Sequence, residues 1–573
     1  MNTLTGVKYI WKMPEFNSNL VAEFSGKFNL SFPVVQTLFS RGCKNYSDFE
    51  NFLSSTLEKD VHHPSLLKDC QKAVERIISA IKNNEKILIC GDYDVDGITS
   101  SAMMMTCLLP LGAQVNFFLP HRVHDGYGLS VKTVRRAALN KYKVLITVDN
   151  GITAFEPALE AKKLGIDLII TDHHRPHDHL PEAFAVIDPY QIDCAYPYKK
   201  LAGVGVTFKL ISLIYEKLGK KLPNKVFELL MLGTVADVVP LTGENRFWVR
   251  YCLSYINKSE SLSLNVLREN ARVTKPDLTA GDIGFFLAPQ INALGRLEDP
   301  RQAVSFLLAD DEKEVRRTGI VLKELNEARK SIEKKIIQEI DQKIQNKEIN
   351  IDQEPIIIAV GSWQAGVIGL AASRLMGTYA RPAIVLTLCD NKILKGSCRS
   401  ISEFNIFQAL ESCSDLLNNF GGHAMAAGLS MHIENLEKFK ERMFEFFKKI
   451  APDYDFKNKL LIDAQLILPE ANKKLVEDMQ HLEPFGCENH QPTFFVKDVS
   501  IIDTPVLLKD AHVKCTIFQD GIIKPLIFFS RPDLYEKLQN MRFQDNQLTF
   551  AGYVSQNYWN GRISVELQGI DIL

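Results

Sequence analysis

From residue 86 onward the chain alternates short apolar runs with helix-length segments, and this alternation restricts the fold more than any other feature. KILIC (86–90) precedes a helical stretch over about 97–111, and VNFFLP (115–120) precedes another near 129–140. KVLITV (143–148) leads to a third near 154–164, and DLIIT (167–171) follows. Strands separated by helices predict an α/β fold with a doubly wound parallel sheet.

In such a sheet ligands collect beyond the carboxyl ends of the strands, and the residues expected there are acids and imidazoles. The stretch CGDYDVDGITS (90–100) ends the first strand with Asp92, Asp94 and Asp96. Asp149, within TVDNG, ends the third, and Asp172, His173 and His174, within TDHHRP, end the next. Asp237 lies in the otherwise apolar LGTVADVVPL and needs a partner if buried. Alone, the aspartate-rich stretch also reads as a capping turn or an EF-hand fragment. A calcium loop counted from Asp92 needs a glutamate at its twelfth position, where Met103 stands, and a helix where a strand precedes. A lone histidine pair is usually surface or core. Carboxylates and imidazoles at three separate strand ends point instead to cations that relieve the repulsion among the acids. Several carboxylates, one imidazole and no thiolate suit Mg²⁺ or Mn²⁺ better than zinc. The number of acids predicts two ions sharing a carboxylate, which is an arrangement for phosphoester hydrolysis.

The 573 residues are too many for one core and predict about three or four domains. A formal charge of −2 excludes a wholly basic nucleic-acid-binding chain but not a local basic groove. MNTLTGVKYIWKMPEF lacks signal-peptide features. The most apolar run, SAMMMTCLLPLG, is too short to span a bilayer, which takes about 20 residues. Eleven cysteines without a CxxC pair read as reduced thiols in a cytoplasmic protein with no membrane association.

Further along, Ile332, Ile336, Ile340 and Ile344 recur every four residues within 311–347, which predicts a long amphipathic helix that could join two domains. A second α/β unit begins at PIIIAVGS (355–362), with a helix from about 366 and a strand at AIVLTL (383–388). From about 456 strand patterns dominate, and the Asn-Gly of NYWNGR signals a hairpin, so a small antiparallel barrel or sandwich is expected at that end.

The segments DYDVDG, VDNG, DHH and ADVVPL resemble, in order, the four motifs of the DHH phosphoesterase superfamily. Within it the similarity is specifically to the RecJ family of bacterial single-strand-specific exonucleases and covers nearly the whole chain. HDGYGLS (124–130), AGVGVTFKL (202–210), INALGRLEDP (291–300), GSCRS (396–400), FGGHAMAAGLS (420–430) and LEPFG (482–486) carry it. The resemblance implies that Asp94 and Asp96 ligate different metals, that Asp149 bridges them, and that His173 and Asp237 complete the set. It places Asp92 as a ligand or just behind the ligands, His174 toward the scissile phosphate, and Asp172 as the group that orients its neighbours. His177 and His179 lie outside the motif and read as loop residues.

The region of about 352–450 resembles the DHH-associated domain, in which Gly421, Gly422 and His423 would approach phosphate. Ser397 and Arg399 would hold a terminal 5′-phosphate, with Arg122 and Arg296 placed similarly. Gln364 stands where the family commonly has histidine and GCENHQP where GxGNPxP is usual, so a charged role at the first position and the conformation of the second do not carry over.

The expected organisation is an N-terminal segment (1–60) packed as a small lid on a DHH domain (61–305). A connector helix (306–350), a DHH-associated domain (351–452) and an OB-like domain (453–573) follow, the last offering Tyr553, Tyr558 and Trp559 for base stacking. By resemblance the chain is a monomeric, two-metal (Mn²⁺ or Mg²⁺) 5′→3′ exonuclease on single-stranded DNA, in DNA repair and recombination. Single-strand-binding protein and a helicase are the partners implied. Two alternatives carry different predictions: a DHH enzyme for short oligonucleotides, cyclic dinucleotides or pyrophosphate, and a non-catalytic DNA-binding scaffold, in which acids of the metal motifs are often lost.

Overall fold

The computed structural model describes residues 2–15, 17–121, 126–258, 261–389, 392–559 and 562–573. The chain divides into two compact units, one of residues 56–453 with 486–489, the other of residues 1–55, 454–485 and 490–573.

The larger unit holds a five-stranded sheet built from β1 (Lys86–Gly91), β2 (Gln114–Phe118), β3 (Tyr142–Val148), β4 (Asp167–Thr171) and β5 (Ala185–Ile187). Its order is β2-β1-β3-β4-β5 and every pairing is parallel. Successive side chains along a strand point to opposite faces, and here the two faces enter different cores. Ile87, Ile89, Ile146, Val148 and Ile169 join one, while Leu88, Cys90, Leu145, Leu168 and Ile170 join the other. Both faces are therefore covered, which is why the strands read as continuous apolar runs.

The first core is closed by α1 (Val95–Leu108), α2 (Gly203–Lys217) and α3 (Lys225–Ala236). α1, which holds the methionines of the most apolar run, is buried almost throughout because sheet and helices enclose it, while the end of that run at Leu109 and Pro110 is exposed.

Beyond α4 (Ala288–Leu297) comes α5 (Glu312–Gln345), a helix of 34 residues whose N-cap Asp311 accepts from the backbone of Lys313 and Glu314. Val315 and Leu322 bury into the first core, whereas Ile336 and Ile340 bury into a second. That second core includes β6 (Ile357–Gly361), α6 (Ile368–Tyr379) and β7 (Ala383–Leu388), which continue into β8 (Ile393–Arg399), β9 (Asn419–Gly422) and β10 (Ala426–His432). The sheet order is β9-β10-β8-β7-β6, parallel only between β6 and β7.

In the smaller unit, strands Phe494–Ile501, Leu548–Trp559, Arg562–Ile572, Ile522–Phe528 and His512–Gln519 pair in succession, and the last returns to the first through Ser500 and Ile501. This closed five-stranded barrel is the OB-like domain expected from the strand-rich end. Trp559 faces Arg562 across the hairpin, whose Asn560 and Gly561 lie outside the described residues.

Residues 1–55 share one compact unit with the β-rich end. Val34, Val35, Leu38 and Phe49 share a core with Leu475, Phe494, Val513, Phe528 and Phe550 of the β-rich end. A strand at Tyr9–Lys12 pairs with Asn458–Leu461, and the Trp11 indole donates to Asp571 (3.1 Å). The cause is that helices over 18–53 carry an apolar surface, rich in Phe24, Phe39 and Phe49, that their own short segment cannot cover.

Among the described residues no helix is long and apolar enough to cross a membrane. All eleven cysteines are free.

Candidate metal centre and cleft

The order β2-β1-β3 puts the reversal of strand order between β1 and β3, and open sheets of this kind bind ligands in the crevice at that point. Asp92, Asp94 and Asp96 follow β1, and Asp149 follows β3. Asp94 is the N-cap of α1; its Oδ1 accepts from the backbone of Asp96 (3.0 Å) and Gly97 (3.2 Å). Asp96 lies one residue inside the helix, almost fully buried, and both its oxygens accept at 2.7 Å from the N-terminus of α2, Oδ2 from Gly203 and Oδ1 from Val204. Those paired donors hold the carboxylate in one orientation.

Asp149 has a left-handed backbone (φ 62°), which turns its side chain back over the sheet end, and it is 2% exposed. A Cβ at Gly203 would lie 2.7 Å from Asp149 Cβ and Oδ1, so only glycine admits the approach of α2 there.

His173 and His174 follow β4. His173 Nε2 lies 3.1 Å from Asp149 Oδ1, 3.6 Å from Asp237 Oδ2 and 3.9 Å from Asp96 Oδ2, yet that nitrogen is buried and makes no hydrogen bond. Asp237 caps the C-terminus of α3 and is half-buried. Asp172 is wholly occupied behind this cluster. Its Oδ1 accepts from the backbone of His173 (2.8 Å) and meets His174 Nδ1 (2.7 Å), and its Oδ2 accepts from Ile152 (2.9 Å).

The electrostatics describe a site in want of positive charge. Burial and the neighbouring Asp237 push Asp96 up to about 7, and burial with Asp94 pushes Asp237 up to about 8. Burial and Asp96 raise Asp149 well above the usual carboxylate range. Burial and the adjacent His174 lower His173. His174 is raised to about 9: burial opposes its charge, and the bond to Asp172 more than reverses that. Burial likewise opposes ionisation of Asp172, but the bond from His174 holds it below its ordinary value.

Ligand atoms of three sets lie within 4.8 Å of one another: Asp92, Asp94 and Asp149; Asp96, His173 and Asp237; and Asp149, His173 and His174. Asp149 belongs to two of them. Carboxylates with a neutral imidazole whose Nε2 carries no hydrogen bond fit divalent cations of the Mn²⁺ or Mg²⁺ kind.

The acids form one wall of a cavity of about 290 Å³ that Asp94, Asp96, Asp237, Asn292, Arg296, Ser397 and Arg399 line. Arg296 comes from α4 and donates to Gly366 O (3.2 Å); Arg399 and Ser397 come from β8, joined by a bond of 3.3 Å. Carboxylates and arginines thus meet across a cleft between the two α/β parts. Gly421 and Gly422 lie on β9, and His423 follows, its backbone N–H tied to Ala426 O (2.8 Å). The His423 ring faces that of His174 in near-parallel stacking, with centroids 6.3 Å apart and planes 10° apart. Arg122 lies outside the described residues. Gln364 is exposed, next to the Ala365 and Gly366 that line the cavity. Tyr553 is half-buried in the barrel; the backbones of Tyr558 and Trp559 belong to a strand, and their side chains lie outside the described part.

Five residues escaped sequence reasoning. Asn292 Oδ1 accepts from Val95 N (3.2 Å) and so joins α4 to the start of α1. The N–H groups of Gly203 and Val204 are backbone, which no side-chain pattern reveals. Tyr127, inside HDGYGLS, packs edge-on to His174 (6.2 Å). Asp188 is a strand-end acid that the rule used for Asp149 would have found, since AVI precedes it; it is fully buried, its Oδ1 accepts from Tyr190 N (2.7 Å), and burial with Asp172 raises it to about 8.

The family model for the DHH family, N-terminal domain, matches residues 86–234, that for the DHHA1 domain residues 353–449, and that for the RecJ OB domain residues 462–571. The chain is 34% identical over 562 residues to the single-stranded-DNA-specific exonuclease RecJ of Bacillus subtilis (strain 168), covering 98% of this chain and 70% of that protein. It is 34% identical over 482 residues to the RecJ of Escherichia coli (strain K12), covering 81% and 83%. The crystal structure of RecJ in complex with Mn²⁺ from Thermus thermophilus superimposes with a TM-score of 0.82 at 26% identity, covering 98% of this chain and 79% of that one. Identity at this level across most of both sequences, with matches to all three domain models, means that the chain belongs to the RecJ family.

Proposed function

We propose that the chain is a single-stranded-DNA-specific 5′→3′ exonuclease that releases 5′-mononucleotides, in the setting of DNA repair and recombination. The observation that carries this reading is the shared cavity in which Asp94, Asp96 and Asp237 face Arg296, Ser397 and Arg399. Acids for cations and arginines for phosphate stand across one space of about 290 Å³. The name borne by the Bacillus and Escherichia relatives supports the same substrate.

Asp92, Asp94, Asp96, Asp149, His173 and Asp237 would hold two divalent ions, Mn²⁺ or Mg²⁺, which when bound would supply Lewis acidity and a water nucleophile at neutral pH. Arg399, with Ser397 and Arg296, grips the terminal 5′-phosphate through paired donors; Arg122 joins them. That grip sets the first phosphodiester over the acids. Water adds to its phosphorus as the bond to the 3′-oxygen breaks, and the 3′-oxygen takes a proton. His174, kept protonated by Asp172, and His423 donate to the non-bridging oxygens as charge builds on them. Gly421 and Gly422 let the backbone come close to the same group. Gly203 and Val204 keep Asp96 from swinging when charge shifts.

The catalytic part is a DHH domain (61–305), a connector (306–350) and a DHH-associated domain (351–452). The OB-like barrel (453–573) binds the single strand, with Tyr553, Tyr558 and Trp559 as stacking groups. The chain works as a cytoplasmic monomer, with single-strand-binding protein and a helicase as partners. Product analysis of end-labelled single and double strands with Mg²⁺ or Mn²⁺ tests this reading. Stepwise release of 5′-mononucleotides from 5′-phosphorylated single strands is expected, with duplex untouched. Equal cleavage of duplex, or hydrolysis of dinucleotides alone, would refute it.

A further inference from the structure

Arg175, His177 and His179 follow the DHH motif in a loop that no mechanistic step above uses. All three have aromatic neighbours, and the His179 ring lies 4.5 Å from that of Phe155. The Arg175 guanidinium lies 5.1 Å from the centroid of the Tyr190 ring, and Tyr190 is itself anchored through its N–H to buried Asp188. The His177 ring lies 5.9 Å from that of Phe155. Both side chains are exposed; burial and His174 lower the proton affinity of His423, and Arg175 and His177 add to that lowering. The rings of His174 and His423 lie near-parallel with centroids 6.3 Å apart. Arg175 and His177 thus leave the strand end that carries His174, whose ring lies parallel to that of His423, with exposed Asp178 as the acid adjacent in the loop.

The sheet order gives this cluster its meaning. The cavity of Arg296 and Arg399 opens at Asp94 and Asp96, at the end of β1. Asp149 ends β3, and the loop of Arg175 and His177 leaves β4, one strand further. Neighbouring strands are about 4.8 Å apart, so the cationic loop lies about 10 Å along the sheet edge from the end of β1, on the far side of the acids. A strand whose terminal phosphate is held at Arg399 and whose first linkage lies over the acids must carry its next phosphate in that direction.

We infer that Arg175, aided by His177, holds the phosphate on the 3′ side of the scissile one, so that the enzyme grips three successive phosphates and reads the strand's polarity. This rests on the exonuclease reading above and extends it by one subsite. The stacked Tyr190 presents the guanidinium already ordered, so less side-chain freedom is lost on binding.

The test is steady-state release of the first mononucleotide from a 5′-phosphorylated trideoxynucleotide in Mn²⁺, with the second linkage either natural or a neutral methylphosphonate. For the unaltered enzyme, neutralising that linkage should raise KM about tenfold, the loss of one charge-assisted contact. Arg175→Gln should raise KM to the same level on the natural substrate and add nothing on the methylphosphonate, with kcat held within about twofold. Arg175→Lys should recover part of the loss, and His177→Gln should shift KM the same way by less. An unchanged KM for Arg175→Gln, or an equal rise on both substrates, overturns the subsite. A fall in kcat instead of a rise in KM, in both Arg175→Gln and Arg175→Lys, also overturns it. If the unaltered enzyme fails to cleave the natural trinucleotide, the exonuclease reading itself falls.

Discussion

Asp149 is the residue on which the site turns. It takes a left-handed backbone, sits against the N-terminal glycine of α2, and belongs to two of the three candidate ligand sets. Asp149→Ala should abolish hydrolysis while single-strand binding, measured by fluorescence anisotropy, stays within a few-fold of normal. Gly203→Ala tests the packing from the other side. Its methyl group has nowhere to go but into Asp149, so we expect about 1–3 kcal/mol of destabilisation by denaturant unfolding, with a loss of activity out of proportion to it. Asp172→Asn would leave the shape and remove the charge that keeps His174 protonated; kcat should drop about 10- to 100-fold with the fold intact by circular dichroism. At this scale the acids and histidines were readable from their positions after apolar runs. The groups that orient them were not, because Gly203 N, Val204 N and Asn292 act through tertiary neighbours.

Among the elements, β1, β3 and β4 of the first sheet were readable because, past their first residues, they are buried on both faces and so read as continuous apolar runs, whereas the three-residue β5 was not read from the sequence. The 34-residue helix was readable for the opposite reason, a stripe of isoleucines among charges. What its sequence did not reveal is that the stripe changes partner along its length: Val315 and Leu322 belong to one core, Ile336 and Ile340 to another. A helix of that kind couples the two halves of the cleft mechanically. Ile340→Ala should cost about 2–5 kcal/mol and loosen the half that bears Arg399, raising KM for 5′-phosphorylated strands before it affects metal-dependent turnover. Thermal unfolding followed beside steady-state kinetics checks both effects.

For the whole molecule, the surprise is the N-terminus. Its place just before the first α/β domain suggests a lid there, yet it completes the core of the barrel more than 400 residues later. Truncation after residue 453 should therefore strip Val34, Val35, Leu38 and Phe49 of their cover and give an aggregating chain. Removing 1–55 as well should restore a soluble, folded product, as judged by size-exclusion chromatography; persistent aggregation of that double truncation would contradict the shared core. The α/β class, the strand ends that carry the clustered acids and imidazoles, the connector helix and the β-rich end were all written in the primary order. Those features follow from local periodicity and from residue types whose burial demands a cation or a partner. Three-dimensional packing alone settled which acid is fastened by which N–H, that the His423 ring lies parallel to that of His174, and which distant segment the N-terminus completes. These depend on contacts between residues far apart in the chain, and an apolar surface specifies that it must be covered without specifying by what.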